Sequence, residues 1–202
     1  MKHFFLSIAV FANLYPGLAS AGDQKPLIAI QPLESFDTTM TRKIVEGVKA
    51  TFDVETAVLA ETPIPESAYY APKKRYRAEK ILRFLDTEAD ARYTRIVGLT
   101  NFDISTTKGA YYDWGIFGLG MYNGRVCVIS TFRLKKGKPG KAVLTGRLIK
   151  VVNHELGHTF GLWHCPNQGC LMEDAQGTVK TVDRETGHFC ADCRARLADI
   201  VK

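Results

Sequence analysis

Apolar positions along the chain alternate between short runs and longer helical stripes. Residues 25–33, "KPLIAIQPL", form an apolar run bracketed by prolines and predict a buried first strand. Asp37 then stands where an N-cap belongs, and Met40, Ile44, Val45, Val48 and Phe52 recur at helical spacing. "VETAVLA" (54–60) predicts a second strand, and the proline-rich "ETPIPESAYYAPKK" (61–74) predicts a loop. A second helix is expected over residues 75–86 from Ala78, Ile81, Leu82 and Leu85, and a third strand in "RYTRIVGLT" (92–100).

"DWGIFGLGMYNGRVCVISTFRL" (113–134) reads as two strands joined across Asn123-Gly124, a strong hairpin signal. Its first strand, residues 114–121, holds three glycines, which suits a sheet edge or a place of close backbone approach. From about Gly140 a long helix follows, with Leu144, Leu148, Val152, Leu156 and Phe160 as the stripe laid against the sheet. Strands alternating with helices give an α/β class with a mixed sheet. No repeat, low-complexity tract or linker divides residues 22–202, which are expected to form one catalytic domain.

The first residues follow a different logic. Lys2, an apolar run over residues 4–14, a break at Pro16-Gly17 and the small residues Ala19-Ser20-Ala21 have the parts of a secretory signal. Residues 1–21 are therefore expected to be a signal peptide cleaved near Ala21, with export to the periplasm or the medium. The run is too short for a permanent membrane anchor. The formal charge of the chain is +6, and losing Lys2 with the signal leaves +5. That excess is modest, and its densest part, "RLKKGKPGK" (133–141), reads as a solvated loop; nucleic acid is not an expected partner. Cys127, in the apolar "GRVCVIS", reads as a buried, inert thiol.

Chemistry concentrates in "HELGHTFGLWHC", residues 154–165. His154 and His158 are four positions apart, so on a helix both rings reach one ion. Glu155 lies on a neighbouring part of that face, where its carboxylate can serve as a general base without ligating the metal. Catalytic zinc takes a third protein ligand and leaves one position open. Gly161 permits the helix to end and turn, which returns His164 to the same ion. The string is the metzincin pattern. His3 and His188 fit no such spacing.

The other cysteines, Cys165, Cys170, Cys190 and Cys193, form two close pairs. Such pairs suit a closed structural zinc; in an oxidising compartment they also allow two disulfides. Met172 stands where a Met-turn would pass beneath the catalytic site.

With these positions in hand the chain resembles the archaemetzincins. The long histidine string, a cysteine directly after its last histidine, C-x4-C-x-M, seventeen residues, then C-x-x-C are all met, and "YYAPKKRYRAEKIL", "GLTNFDIS" and "WGIFGLG" resemble the family as well. The resemblance implies a compact metzincin-like α/β fold with a long active-site helix and a zinc-stapled C-terminal segment. It implies one zinc on His154, His158 and His164, a second on Cys165, Cys170, Cys190 and Cys193, and Glu155 as the base.

The expected function is a monomeric zinc metallopeptidase that hydrolyses peptide or protein substrates with a zinc-activated water. Two other readings stand beside it. One is a non-catalytic zinc-containing protein that binds peptides or envelope components, against which the intact Glu155 counts. The other is a disulfide-stapled secreted module without metal.

Overall fold

A computed structural model describes residues 25–200; the expected export signal lies outside the described residues. Five strands build the central sheet: β1 (Leu27–Pro32), β2 (Glu55–Val58), β5 (Arg95–Thr100), β8 (Gly118–Gly120) and β9 (Val126–Ser130), in the order β2-β1-β5-β9-β8. The pairs β1/β2, β1/β5 and β5/β9 are parallel, and β8 closes one edge antiparallel to β9.

Strands buried on both faces must be apolar at nearly every position, which is why "LIAI" and "VCVIS" show no alternation. Ile28, Ile30, Val97, Leu99, Cys127 and Ile129 face one core, which holds α1 (Thr38–Thr51) and α3 (Lys141–Thr159). Ala29, Ile96, Val126 and Val128 face the other, against Ile81, Leu82 and Leu85 of α2 (Ala78–Glu88).

Local chemistry explains the helix ends. The Asp37 carboxylate accepts from the Met40 amide at 2.8 Å, the N-cap expected for α1. Gly140 precedes α3, whose stripe from Leu144 to Phe160 is buried as predicted. Helices α1 and α3 touch at Gly47, where an added Cβ would lie 2.5 Å from Ile149. Asn153 donates across the same contact to the Thr51 hydroxyl at 2.8 Å. Arg147, buried in α3, binds both carboxylate oxygens of Asp183 at 2.7 Å and the Leu134 and Lys136 carbonyls at 2.7 and 2.9 Å. This ties the long helix to α4 (Val179–Arg184); α5 (Ala191–Ile200) ends the described chain.

Three expectations are corrected. Residues 61–74 are not loop throughout, for β3 (Tyr69–Tyr70) lies among them. Residues 75–77 form a strand, β4 (Arg75–Arg77), and the helix begins only at Ala78. The cause is non-local: β4 pairs with β3 and with β6 (Ile104–Lys108) in a second sheet that β7 (Tyr111–Ile116) completes in the order β3-β4-β6-β7, and buried Arg77 donates to Glu79 and to the Thr107 hydroxyl.

The expected strand over 114–121 is two strands in two sheets. β7 (Tyr111–Ile116) pairs with β6, and the chain crosses at buried Phe117 into β8. Gly115 sits under the Arg133 guanidinium, which a Cβ would overlap at 2.0 Å, and Arg133 holds both oxygens of Asp103 at 2.7 and 3.0 Å. The basic stretch 133–141 is thus anchored by Arg133 and by buried Leu134, while Lys135, Lys136 and Lys138 are exposed as expected.

Candidate active site

The last turns of α3 present His154 and His158 on one face. Their Nδ1 atoms lie 2.7 Å from the Leu171 carbonyl and 2.8 Å from the Leu162 carbonyl. A carbonyl can only accept, so each Nδ1 carries the proton and each Nε2 is left with a bare lone pair. Those two Nε2 atoms stand 3.1 Å apart. Burial pushes His154 down to about 3, aided by the neighbouring His158, and burial also lowers His158, so both rings are neutral.

The helix stops as Gly161 enables it to. Gly161 adopts φ 86°, its amide donates to the His158 carbonyl at 2.9 Å, and the Leu162 amide reaches back to the Gly157 carbonyl at 3.0 Å. This is the Schellman arrangement, and it reverses the chain within one turn. His164 thereby returns over the other two rings, with ring centroids 5.3 Å from His154 and 4.8 Å from His158.

One donor nitrogen from each of the three rings lies within 4.8 Å of the others. Two bare nitrogens aimed at one point repel unless a cation stands between them. Zinc–nitrogen bonds of about 2.0–2.1 Å in tetrahedral geometry place ligands roughly 3.3 Å apart, close to the spacing of His154 and His158. The residues fit a divalent ion. His164 is the exposed member, its Nδ1 3.9 Å from an Asp174 oxygen.

Glu155 lines the same cleft and packs against the edge strand β8. Burial pushes its carboxyl up to about 8, against the pull of the Gly120 amide, which favours the charged form. The glycines of β8 are explained by this contact. A Cβ on Gly118 would come within 2.7 Å of Glu155 Cγ, and one on Gly120 within 2.5 Å of the Glu155 carbonyl oxygen. The close approach inferred from those glycines is the approach of Glu155 itself.

The cysteines gather on the far side of the turn. Cys165 and Cys190 have Sγ atoms 3.7 Å apart, Cys170 and Cys193 3.8 Å, and the four sulfurs all lie within 4.8 Å of one another. A disulfide needs about 2.05 Å, and all five cysteines of the chain are free. Tetrahedral zinc with bonds of about 2.3 Å spaces its sulfurs roughly 3.8 Å apart, so this set fits zinc as well. Asn167, which its sequence position did not mark, donates to two of the sulfurs at 3.4 Å, from its backbone to Cys165 and from its side chain to Cys190. That side-chain bond and the Cys193 amide bring the Cys190 thiol down to about 6. Cys127 is separate: fully buried in β9, its thiol held neutral by burial.

Residues 171 and 172 connect the clusters. The Leu171 carbonyl holds His154, and the Met172 carbonyl accepts from the Cys165 amide at 2.8 Å. Met172 itself is buried against α3, its sulfur 2.5 Å from where a Cβ on Gly157 would lie. His188 is exposed and takes part through its backbone, its carbonyl accepting from the Leu171 amide and its amide donating to the Thr186 hydroxyl.

The model of peptidase family M54 matches residues 37–199 of the chain. The chain belongs to this family. The M54 chain is 32% identical to the archaemetzincin of Halobacterium salinarum over 83% of its own length and 96% of that relative. In structure it is similar to the archaemetzincin of Methanopyrus kandleri, at 28% identity and TM-score 0.76, over 91% of this chain and 98% of that one. The archaemetzincin of Archaeoglobus fulgidus gives 29% and 0.72, over 84% and 99%. The resemblance to archaemetzincins and the mixed α/β class hold. As an M54 peptidase it is a zinc metallopeptidase acting on peptides or proteins, which decides against the non-catalytic reading.

The M54 cleft measures about 350 Å³ and runs between β8 and the segment after Met172. Its walls include His154, Glu155, His158 and His164 together with Asp174 and Glu185, two acids that no spacing in the sequence assigned.

Proposed function

We propose that this protein is an exported, monomeric peptidase that cuts peptide bonds at a zinc held by His154, His158 and His164, with Glu155 as general base and a second zinc on Cys165, Cys170, Cys190 and Cys193. The observation that carries the reading is the convergence of three imidazole nitrogens within 4.8 Å at the end of α3, beside a buried carboxylate. A zinc ion bound there supplies Lewis acidity, polarising a carbonyl and lowering the pKa of water.

The remaining work belongs to the chain. Glu155 takes a proton from the attacking water and returns it to the leaving amine. Gly118 and Gly120 keep β8 close above that carboxylate, so the base has little freedom to turn away. β8 pairs with β9 on one side only, and its other edge is available to an extended peptide by strand addition. The Leu171 and Leu162 carbonyls fix both ring tautomers and aim each Nε2 inward. Export rests on the pattern of residues 1–21. Among the described residues no helix is long and apolar enough to cross a membrane.

Glu155→Gln is the test. The variant should retain its zinc and lose peptide hydrolysis by about 10²-fold or more. A variant that still cuts a mixed peptide library at the wild-type rate removes Glu155 from the mechanism.

A further inference from the structure

Glu185, which follows α4, is 6% exposed and yet forms part of the cleft wall. Among the described residues no hydrogen bond or ion pair reaches its carboxylate. Lys150, whose charge acts on it, sends its ammonium to the backbone carbonyls of Val182 and Glu185 at 2.8 and 2.5 Å. Its oxygens are not among the fully buried unpaired atoms, so the carboxylate opens onto the cleft, and an acid so closely walled yet without a direct partner is one that a cationic ligand can complete.

The surroundings state what kind of ligand fits. Val151, Val182 and Ala175 line the cleft with apolar surface suited to an alkyl stem. Glu173 and Asp174 add two more acids to the wall. Glu173 is already held by Arg184 and by the Gly169 amide, and Asp174 accepts from the Gln176 amide at 2.8 Å, which leaves Glu185 as the one of the three whose carboxylate has no direct hydrogen bond among the described residues. Among the described residues lining the cleft the one lysine or arginine is Lys108, which lies beside the Trp114 ring. An apolar substrate side chain would cover the carboxylate and strip its water without replacing it; a long cationic one would bury its stem on the valines and bring its charge to the carboxylate.

We propose that Glu185 is a specificity residue that receives the ammonium or guanidinium group of a substrate lysine or arginine beside the scissile bond, so that the enzyme cuts peptides next to basic residues. The proposal rests on the peptidase reading above. Until a cation arrives, burial holds the Glu185 carboxyl up to about 8, partly offset by Lys150 and reinforced by Glu173.

The test uses the zinc-loaded full chain and synthetic peptides that differ only at the residue flanking the cut: lysine, Nε-acetyl-lysine, arginine, norleucine or glutamate. Wild type should cleave the lysine and arginine peptides at least about tenfold faster in kcat/KM than the norleucine peptide, with most of the difference in KM. In Glu185→Gln that ratio should fall toward one. A wild type without preference for basic residues, or a Glu185→Gln enzyme that keeps the preference, overturns the proposal. The acetylated peptide decides without any variant: cleavage equal to that of the lysine peptide overturns it, and a tenfold loss supports it. Cleavage with no basic preference leaves the peptidase reading intact, whereas failure to cut any peptide overturns both.

Discussion

Gly120 of β8 and Glu155 of α3 are in contact so close that a methyl group on the glycine would lie 2.5 Å from the glutamate's carbonyl oxygen. The edge strand and the long helix are therefore fitted to each other at Glu155.

Gly120→Ala should push β8 off the helix. Backbone atoms cannot yield as a side-chain tip does, so a loss of about 1–3 kcal/mol in stability is expected. The kcat should fall about tenfold or more as Glu155 loses its lid, while the zinc content of the purified protein stays at the wild-type level. Chemical denaturation and metal analysis of the same preparation check both halves. A variant with unchanged kcat would show that β8 does not position the base.

Gly161 adopts φ 86°, a conformation that costs an L-residue roughly 1–2 kcal/mol. Gly161→Ala should lower stability by about that amount and weaken zinc at the histidine site at least several-fold, because the strained turn delivers His164. Competition with a graded series of chelators measures the affinity. An unaltered affinity would mean that His164 finds the metal without the turn.

The cysteine cluster and the histidine cluster share the backbone of residues 171 and 172, through bonds to His154 and to the Cys165 amide. Cys193→Ser should therefore do more than remove one metal. Elemental analysis should show the loss of the second zinc, and thermal unfolding a drop corresponding to about 3 kcal/mol or more. Chelator titration should also show weaker binding at the histidines. Full retention of histidine-site affinity would separate the two centres.

Glu185 gives a pH dependence whose sign is fixed. Its folded-state pKa is raised by burial to about 8, above its ordinary value of 4.5. The neutral form is the one the fold accepts, so this stabilising contribution is complete below pH 4 and is lost as pH rises toward 8. Glu185→Gln should thus be more stable than wild type near pH 8, by an amount on the order of a few kcal/mol, with the difference closing at pH 4. Melting temperatures across that range, measured without substrate, check it. A variant less stable than wild type at pH 8 would mean that the carboxylate has a structural partner.

What could be read from the chain was local. Asp37 caps its helix through a bond three residues away, and His154, His158 and Gly161 act within one helix end. Short-range spacing settles such features, because a few neighbouring dihedral angles decide them. The parallel strands were legible for a similar reason, since burial on both faces demands apolar residues throughout.

Tertiary structure decided the rest. Residues 75–77 carry a helical pattern but form a strand because Tyr76 and Arg77 pair with Ile104 and Ser105 of β6. Residues 114–121 divide between two sheets because Trp114, Gly115 and Ile116 pair with β6 whereas Gly118, Leu119 and Gly120 pair with β9. Asn167 and Glu185 occur in no metal-binding or catalytic spacing, and only packing brings one to the cysteines and the other into the cleft. The sequence by itself determined which residues can hold metal and where the helix must break. Which carboxylates line the cleft, and which glycines lie over Glu155, followed from long-range contacts whose geometry exists only once the layers have closed.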